Sequence, residues 1–179
     1  MFVKSYVEQG SGKIPSVHLS DEEYGRGLQC FVPVCTDIVP INREKKLIYL
    51  AKRAAKPMAG WWWLGGRMNP SETKESSALR CLKREAGLAI SSDRLQLVAF
   101  MDLLFKDRQQ APQNIGCHMA DYIFAVEFTE DELLHIQGHL EAKEYKADEG
   151  LTPFSREELV MEGVFPAILD VHDAIFPGA

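Results

Sequence analysis

Residues 65–88 read Gly-Gly-Arg-Met-Asn-Pro-Ser-Glu-Thr-Lys-Glu-Ser-Ser-Ala-Leu-Arg-Cys-Leu-Lys-Arg-Glu-Ala-Gly-Leu. Two glycines open the stretch, another closes it, and the residues between carry the signals of one helix. Asn69 is a good N-cap because its side-chain oxygen accepts an otherwise unpaired N–H. Pro70 suits the first helical position, where a missing N–H costs nothing. Glu72 stands three residues after Asn69, the spacing at which a capping-box carboxylate reaches back. Gly87 is the natural terminator, since glycine enters the left-handed conformation at least cost. Ala78, Leu79, Leu82 and Ala86 recur at three- and four-residue spacing and predict the buried stripe. Cys81, Arg84 and Glu85 fall together on a neighbouring face.

The stretch resembles the Nudix box, G-x5-E-x7-R-E-U-x-E-E-x-G-U, in which U is a bulky aliphatic residue. Gly66, Glu72, Arg80, Leu82, Glu85, Gly87 and Leu88 fall on its fixed positions in register. Two acidic positions depart from it: the glutamate after the box arginine is Cys81, and the first of the usual glutamate pair is Arg84. A hard divalent cation needs oxygen ligands; a thiol is a poor one for Mg²⁺, and a guanidinium repels the ion. The GDP-mannose mannosyl hydrolase branch also lacks those two glutamates and keeps the one matching Glu85, so the resemblance favours that branch. It implies an α/β fold, the Nudix α/β/α sandwich with a mixed β-sheet.

The chain of 179 residues, 46% hydrophobic and 26% charged, suits one domain with a sizeable core. Its net charge of -6 argues against a nucleic-acid or anionic-membrane partner, both of which call for basic patches. Cys30, Cys35, Cys81 and Cys117 show neither C-x2-C pairs nor zinc spacing, and a chain this long needs no disulfide staples. They read as reduced thiols of a cytoplasmic protein. The opening residues hold no apolar run of signal-peptide length, and no stretch approaches the ~20 apolar residues of a membrane span.

In chain order, residues 1–29 read as an arm followed by a short helix opened by the capping box Ser20 to Glu23, and residues 30–179 as the Nudix domain. Phe31 to Val39 predicts a strand and Lys46 to Arg53 its antiparallel partner across a polar turn. Trp61 to Leu64 predicts a short strand leading into the glycines. Leu95–Phe105 and His118–Phe128 predict two more, the second with Tyr122, Phe124, Val126 and Phe128 on one face. Thr129 and Ser155 each begin a capping box and a helix; Phe165 to Phe176 predicts the closing amphipathic helix. Residues 137–150 read as a polar loop carrying His139, Glu141, Glu144, Asp148 and Glu149.

The resemblance assigns metal binding to Glu85, with the carbonyls of Gly65 or Gly66 and a loop acid such as Glu144 as co-ligands for Mg²⁺ or Mn²⁺. Glu72 and Arg80 resemble the family's structural salt bridge. Arg53 and Arg67 flank the glycines, and guanidinium forks match phosphate oxygens; the bland alternative is two solvated surface arginines. Arg84 either supplies in cis the charge a metal normally brings or marks a lost site. Trp62 or a neighbour stacks on a base or sugar, or simply packs in the core. The mannosyl-hydrolase branch places a metal-binding glutamate and a basic histidine close together in the late loop; no Glu-x-His occurs here, and the resemblance points to His139 and Glu144, five residues apart, as catalytic candidates, the alternative being a charged loop with no catalytic role. A packed, unreactive thiol is the expectation for Cys81.

The implied activity is Mg²⁺-dependent hydrolysis of a nucleoside diphosphate linked to another moiety, a nucleotide sugar above all, by a homodimer. The alternatives are a nucleotide-binding or regulatory module that no longer hydrolyses, and ordinary pyrophosphate cleavage with ligands recruited from elsewhere.

Overall fold

A computed structural model describes residues 3–6, 8, 10–146 and 149–178; Asp148 lies outside them. The elements run α1 (Asp21–Gly27), β1 (Val34–Asn42), β2 (Leu47–Arg53), β3 (Gly60–Trp62), β4 (Leu64–Arg67), α2 (Lys74–Ala86), β5 (Gln96–Phe105), β6 (Cys117–Glu127), α3 (Glu130–His139), β7 (Leu151–Phe154), α4 (Arg156–Met161) and α5 (Pro166–Ile175). The sheet is mixed: β1 runs parallel to β6 and antiparallel to β2 and β4, while β2 also pairs with β3 and β7.

Strand alternation sorts the core into two layers. Val39, Ile41, Ile123 and Ala125 face one side and pack with Leu159 of α4 and Ile168, Val171 and Ile175 of α5. Ile38, Phe124 and Val126 face the other side and meet Ala78, Leu82 and Ala86 of α2 and Ile136 of α3. Burying each large side chain contributes about 1.5–3 kcal/mol, so the sheet is clamped from both faces. This is the α/β/α sandwich with a mixed sheet. All four cysteines are free thiols. No helix of the described residues is long and apolar enough to cross a membrane.

Several local expectations change. The box helix starts four residues later than the Asn69 cap implies: its N-cap is Thr73, with Ser76 completing the box. Glu72 still reaches back to the Asn69 N–H at 2.7 Å, but it closes a turn rather than a helix. The buried face of α2 is Ala78, Cys81, Leu82, Glu85 and Ala86, and Leu79 is only partly covered. The predicted strand through Trp61–Leu64 is two strands, β3 on β2 and β4 on β1, so Gly65 and Gly66 are sheet residues rather than loop. Residues 151–154, given no element from sequence, form β7, and His139 closes α3 instead of lying in the loop.

Candidate active site

Gly65 is where sheet and helix meet. A Cβ there would stand 2.0 Å from Asp37 Oδ1 and 2.3 Å from the Thr36 carbonyl, so only glycine lets β4 lie against β1 at this point. Its N–H donates to Glu85 Oε2 at 2.8 Å. Glu85 sits in the last turn of α2, only 1% exposed, and also accepts the Tyr145 hydroxyl at 2.5 Å and the Arg84 guanidinium. Burial raises its pKa to about 7, against the pull of the Tyr145 and Arg84 bonds.

Arg84 Nη2 donates to the Gly65 carbonyl at 3.3 Å as well as to Glu85, and its Nε lies 3.7 Å from Glu141. Three oxygens from three segments thus converge on one half-exposed cation. Cys81, one turn back, is fully buried, and burial pushes its thiol to about 11 despite Arg80 and Arg84 nearby. A protonated, enclosed thiol is neither a nucleophile nor a ligand for a hard cation.

The late loop is zipped onto the end of β2. The Glu144 carbonyl accepts the Ala54 N–H at 2.8 Å, Lys146 donates to Lys52 at 2.9 Å, and Arg53 forms an isolated bridge with Tyr145. This brings Glu144 to Arg53 Nη2 at 3.1 Å and Tyr145 to Glu85. Arg80 braces the other side, bonding Glu72 at 2.5 and 2.8 Å and the Arg67 carbonyl at 2.8 Å. Arg67 itself lies over the Tyr24 ring of α1, 4.6 Å from its centroid.

These groups surround a cleft of about 220 Å³. Four cations line it (Arg53, Lys56, Arg67 and Arg84), and so do the acids Asp37, Glu85, Asp121 and Glu144. Anion-binding forks around a buried carboxylate suit a phosphorylated ligand.

A model of the NUDIX domain matches residues 32–160. The chain belongs to the Nudix family. Its fold is that of solved Nudix proteins. The MutT NUDIX hydrolase from Burkholderia pseudomallei is 19% identical, with 83% of this chain and 99% of that one covered at a TM-score of 0.56. The dihydroneopterin triphosphate pyrophosphohydrolase of E. coli is 15% identical, with 82% and 97% covered at 0.55. The Ap4A hydrolase of C. elegans is 12% identical, with 80% and 96% covered at 0.51. No curated protein matches this sequence. Membership makes the chain a hydrolase of a family that acts on small nucleotide substrates and generally uses a divalent metal, typically Mg²⁺.

Among the described residues no three His, Cys, Asp or Glu side chains gather as a metal cluster. Mg²⁺ asks for less, since it is commonly held by one or two carboxylates together with substrate phosphates. Glu85 and the Gly65 carbonyl already share one cationic nitrogen, so the donor set fits a hard cation once Arg84 moves aside.

Of the residues picked from sequence, the cleft gathers Arg53, Trp62, Arg67, Arg84, Gly65, Gly66, Glu85 and Glu144. Trp62 is 4% exposed and donates to Asp37 at 3.2 Å, so it packs in the core and offers little face for stacking. His139 is not brought in: it stacks on His135 with ring centroids 4.0 Å apart, close to Gly87. Asp37, Asp121, Tyr145 and Tyr24 also line the cleft without having been picked from sequence, and Glu141, expected only as part of a charged loop, lies 3.7 Å from Arg84. Asp37 and Asp121 were visible as acids inside otherwise apolar strands, where burial of a charge is costly enough to signal a purpose.

Proposed function

We propose that this chain hydrolyses a nucleoside diphosphate carrying a second moiety, specifically a nucleotide sugar of the GDP-mannose kind, by cleaving the sugar carbon–oxygen bond. The observation that carries this reading is the sparse helix face: Cys81 is sealed, Arg84 replaces a carboxylate, and Glu85 alone remains beside four cations. Attack at phosphorus needs a clustered carboxylate face to orient water and absorb charge. Displacement at an anomeric carbon develops positive charge on the sugar and leaves a nucleoside diphosphate, which asks far less of the protein.

In this reading Arg67 and Arg84 grip the diphosphate, and Arg53 holds the Glu144 carboxylate at 3.1 Å in the cleft. Glu144 takes a proton from water as its oxygen bonds to the anomeric carbon, and the carbon–oxygen electron pair leaves with the diphosphate. Glu85 and the Gly65 carbonyl would hold Mg²⁺, which when bound neutralises charge on the departing diphosphate. Chromatography of the products from GDP- and UDP-sugars tests the assignment: free sugar with nucleoside diphosphate is the expected pair.

The Arg84 contact with Glu85 and Gly65 favours one second reading, a nucleotide-binding module whose cation is built in. Retained nucleotide binding with no product across the panel would select it.

A further inference from the structure

Asp37 and Asp121 have no task in the scheme above, yet both line the cleft and both are buried, at 5% and 1% exposure. They stand on the adjacent parallel strands β1 and β6, on the face that also carries Cys35 and Met119. Asp37 Oδ2 accepts the Trp62 Nε1–H at 3.2 Å, and burial raises the pKa of both Asp37 and Asp121, so that one of the pair can hold a proton between them. Asp121 Oδ1, by contrast, is buried and has no hydrogen-bond partner among the described residues.

A buried carboxyl oxygen is almost always paired, because stripping it of water without replacing the bond is unfavourable. Asp121 forms part of the cleft wall, so a donor entering the cleft can complete the pairing. An acid pair disfavours a phosphate group at that position, and the apolar surface of Leu103 and Phe105 nearby suits the carbon face of a ring. The chemistry asked for is therefore a neutral donor on a partly apolar group.

We infer that Asp121 is a specificity-determining residue whose Oδ1 accepts a hydrogen bond from a hydroxyl of the sugar carried on the diphosphate. The inference rests on the nucleotide-sugar reading and deepens it by naming the residue that selects the sugar. A site built to pair a hydroxyl discriminates strongly against the analogue lacking it, because the protein group is then left orphaned.

Calorimetry of GDP and GDP-mannose binding to the full chain tests this. Asp121→Leu should weaken GDP-mannose at least ~10-fold and GDP less than ~2-fold, since only the sugar loses a partner. Asp121→Asn, which keeps a donor toward Asp37 and an acceptor toward the cleft, should retain GDP-mannose affinity within ~3-fold. Equal losses for both ligands, no loss in the leucine variant, or a loss in Asn as large as in Leu would overturn the inference and leave the nucleotide-sugar reading standing. Failure of the wild type to bind either ligand would overturn both. Should the leucine variant not fold, deoxy-sugar analogues of GDP-mannose on the wild type decide instead: one must bind ~10-fold more weakly, and uniform affinity overturns the inference.

Discussion

The guanidinium of Arg84 lies on the carboxylate of Glu85, its neighbour in sequence, and on the Gly65 carbonyl at 3.3 Å. Adjacent helical residues normally diverge by about 100°, so this contact exists because β4 brings Gly65 to the end of α2 and supplies a shared target. Arg84 thereby occupies the oxygens proposed for a cation, so the two would compete. Arg84→Ala should raise Mg²⁺ affinity on the order of 10-fold while lowering GDP affinity in metal-free buffer by a similar factor. Calorimetric titrations of metal and nucleotide separate the two effects; a variant with weaker Mg²⁺ binding would show that this is no cation site. Arg84 is the better target because Cys81 is sealed, and a glutamate placed there would bury a charge.

Glu85→Gln tests the surviving carboxylate. It should lower metal affinity at least ~10-fold, because a neutral amide is a much weaker ligand for a hard cation. Equilibrium dialysis against Mn²⁺ reads this directly, and unchanged affinity would remove Glu85 from the ligand set.

The same residue makes a pH prediction for the metal-free protein. Its folded pKa of about 7 exceeds the ordinary 4.5, so the folded state holds a proton that the unfolded chain releases. Stability therefore falls as pH rises from about 4.5 to about 7 and stays at the lower level above that. Burial raises Asp37 and Asp121 as well, and both act in the same direction. Urea unfolding at pH 5 and pH 8 should show a drop that shrinks in Glu85→Gln, by on the order of 3 kcal/mol at most. An identical drop in both proteins would contradict the assignment.

Arg80 and Glu72 brace the turn before α2 through two hydrogen bonds at 2.5 and 2.8 Å. Arg80→Lys keeps the charge and loses the fork, so it should cost about 1–2 kcal/mol in denaturant unfolding and leave Mg²⁺ affinity nearly unchanged. A large fall in metal affinity without loss of stability would give the pair a role in the site itself.

The fold was legible because its signals are local. The capping boxes at Ser20, Thr129 and Ser155, the Gly87 terminator with φ 65°, and the alternation of β6 all read correctly from neighbouring residues. The start of α2 reads differently: Asn69 has the features of a cap, but Glu72 is held in a turn by the Asn69 N–H and Arg80, and the helix begins after Thr73. Arg53, Arg67, Arg84 and Glu85 were legible through the box and its flanks. Asp121 showed only as an acid in a strand and Tyr145 not at all, because their partners lie dozens of residues away and only the register of β1 with β6 and the zip of the late loop onto β2 bring them together. His139 misled for the converse reason. It is near Glu144 in sequence, but α3 extends far enough to leave it beside His135 and Gly87.

Isotope placement reads directly which bond breaks. GDP- and UDP-sugars incubated in ¹⁸O-water with Mg²⁺ should yield nucleoside diphosphate, with the label in the released sugar. Label in a phosphate group, with nucleoside monophosphate as product, would place the cleavage at phosphorus and rule out attack at the sugar carbon.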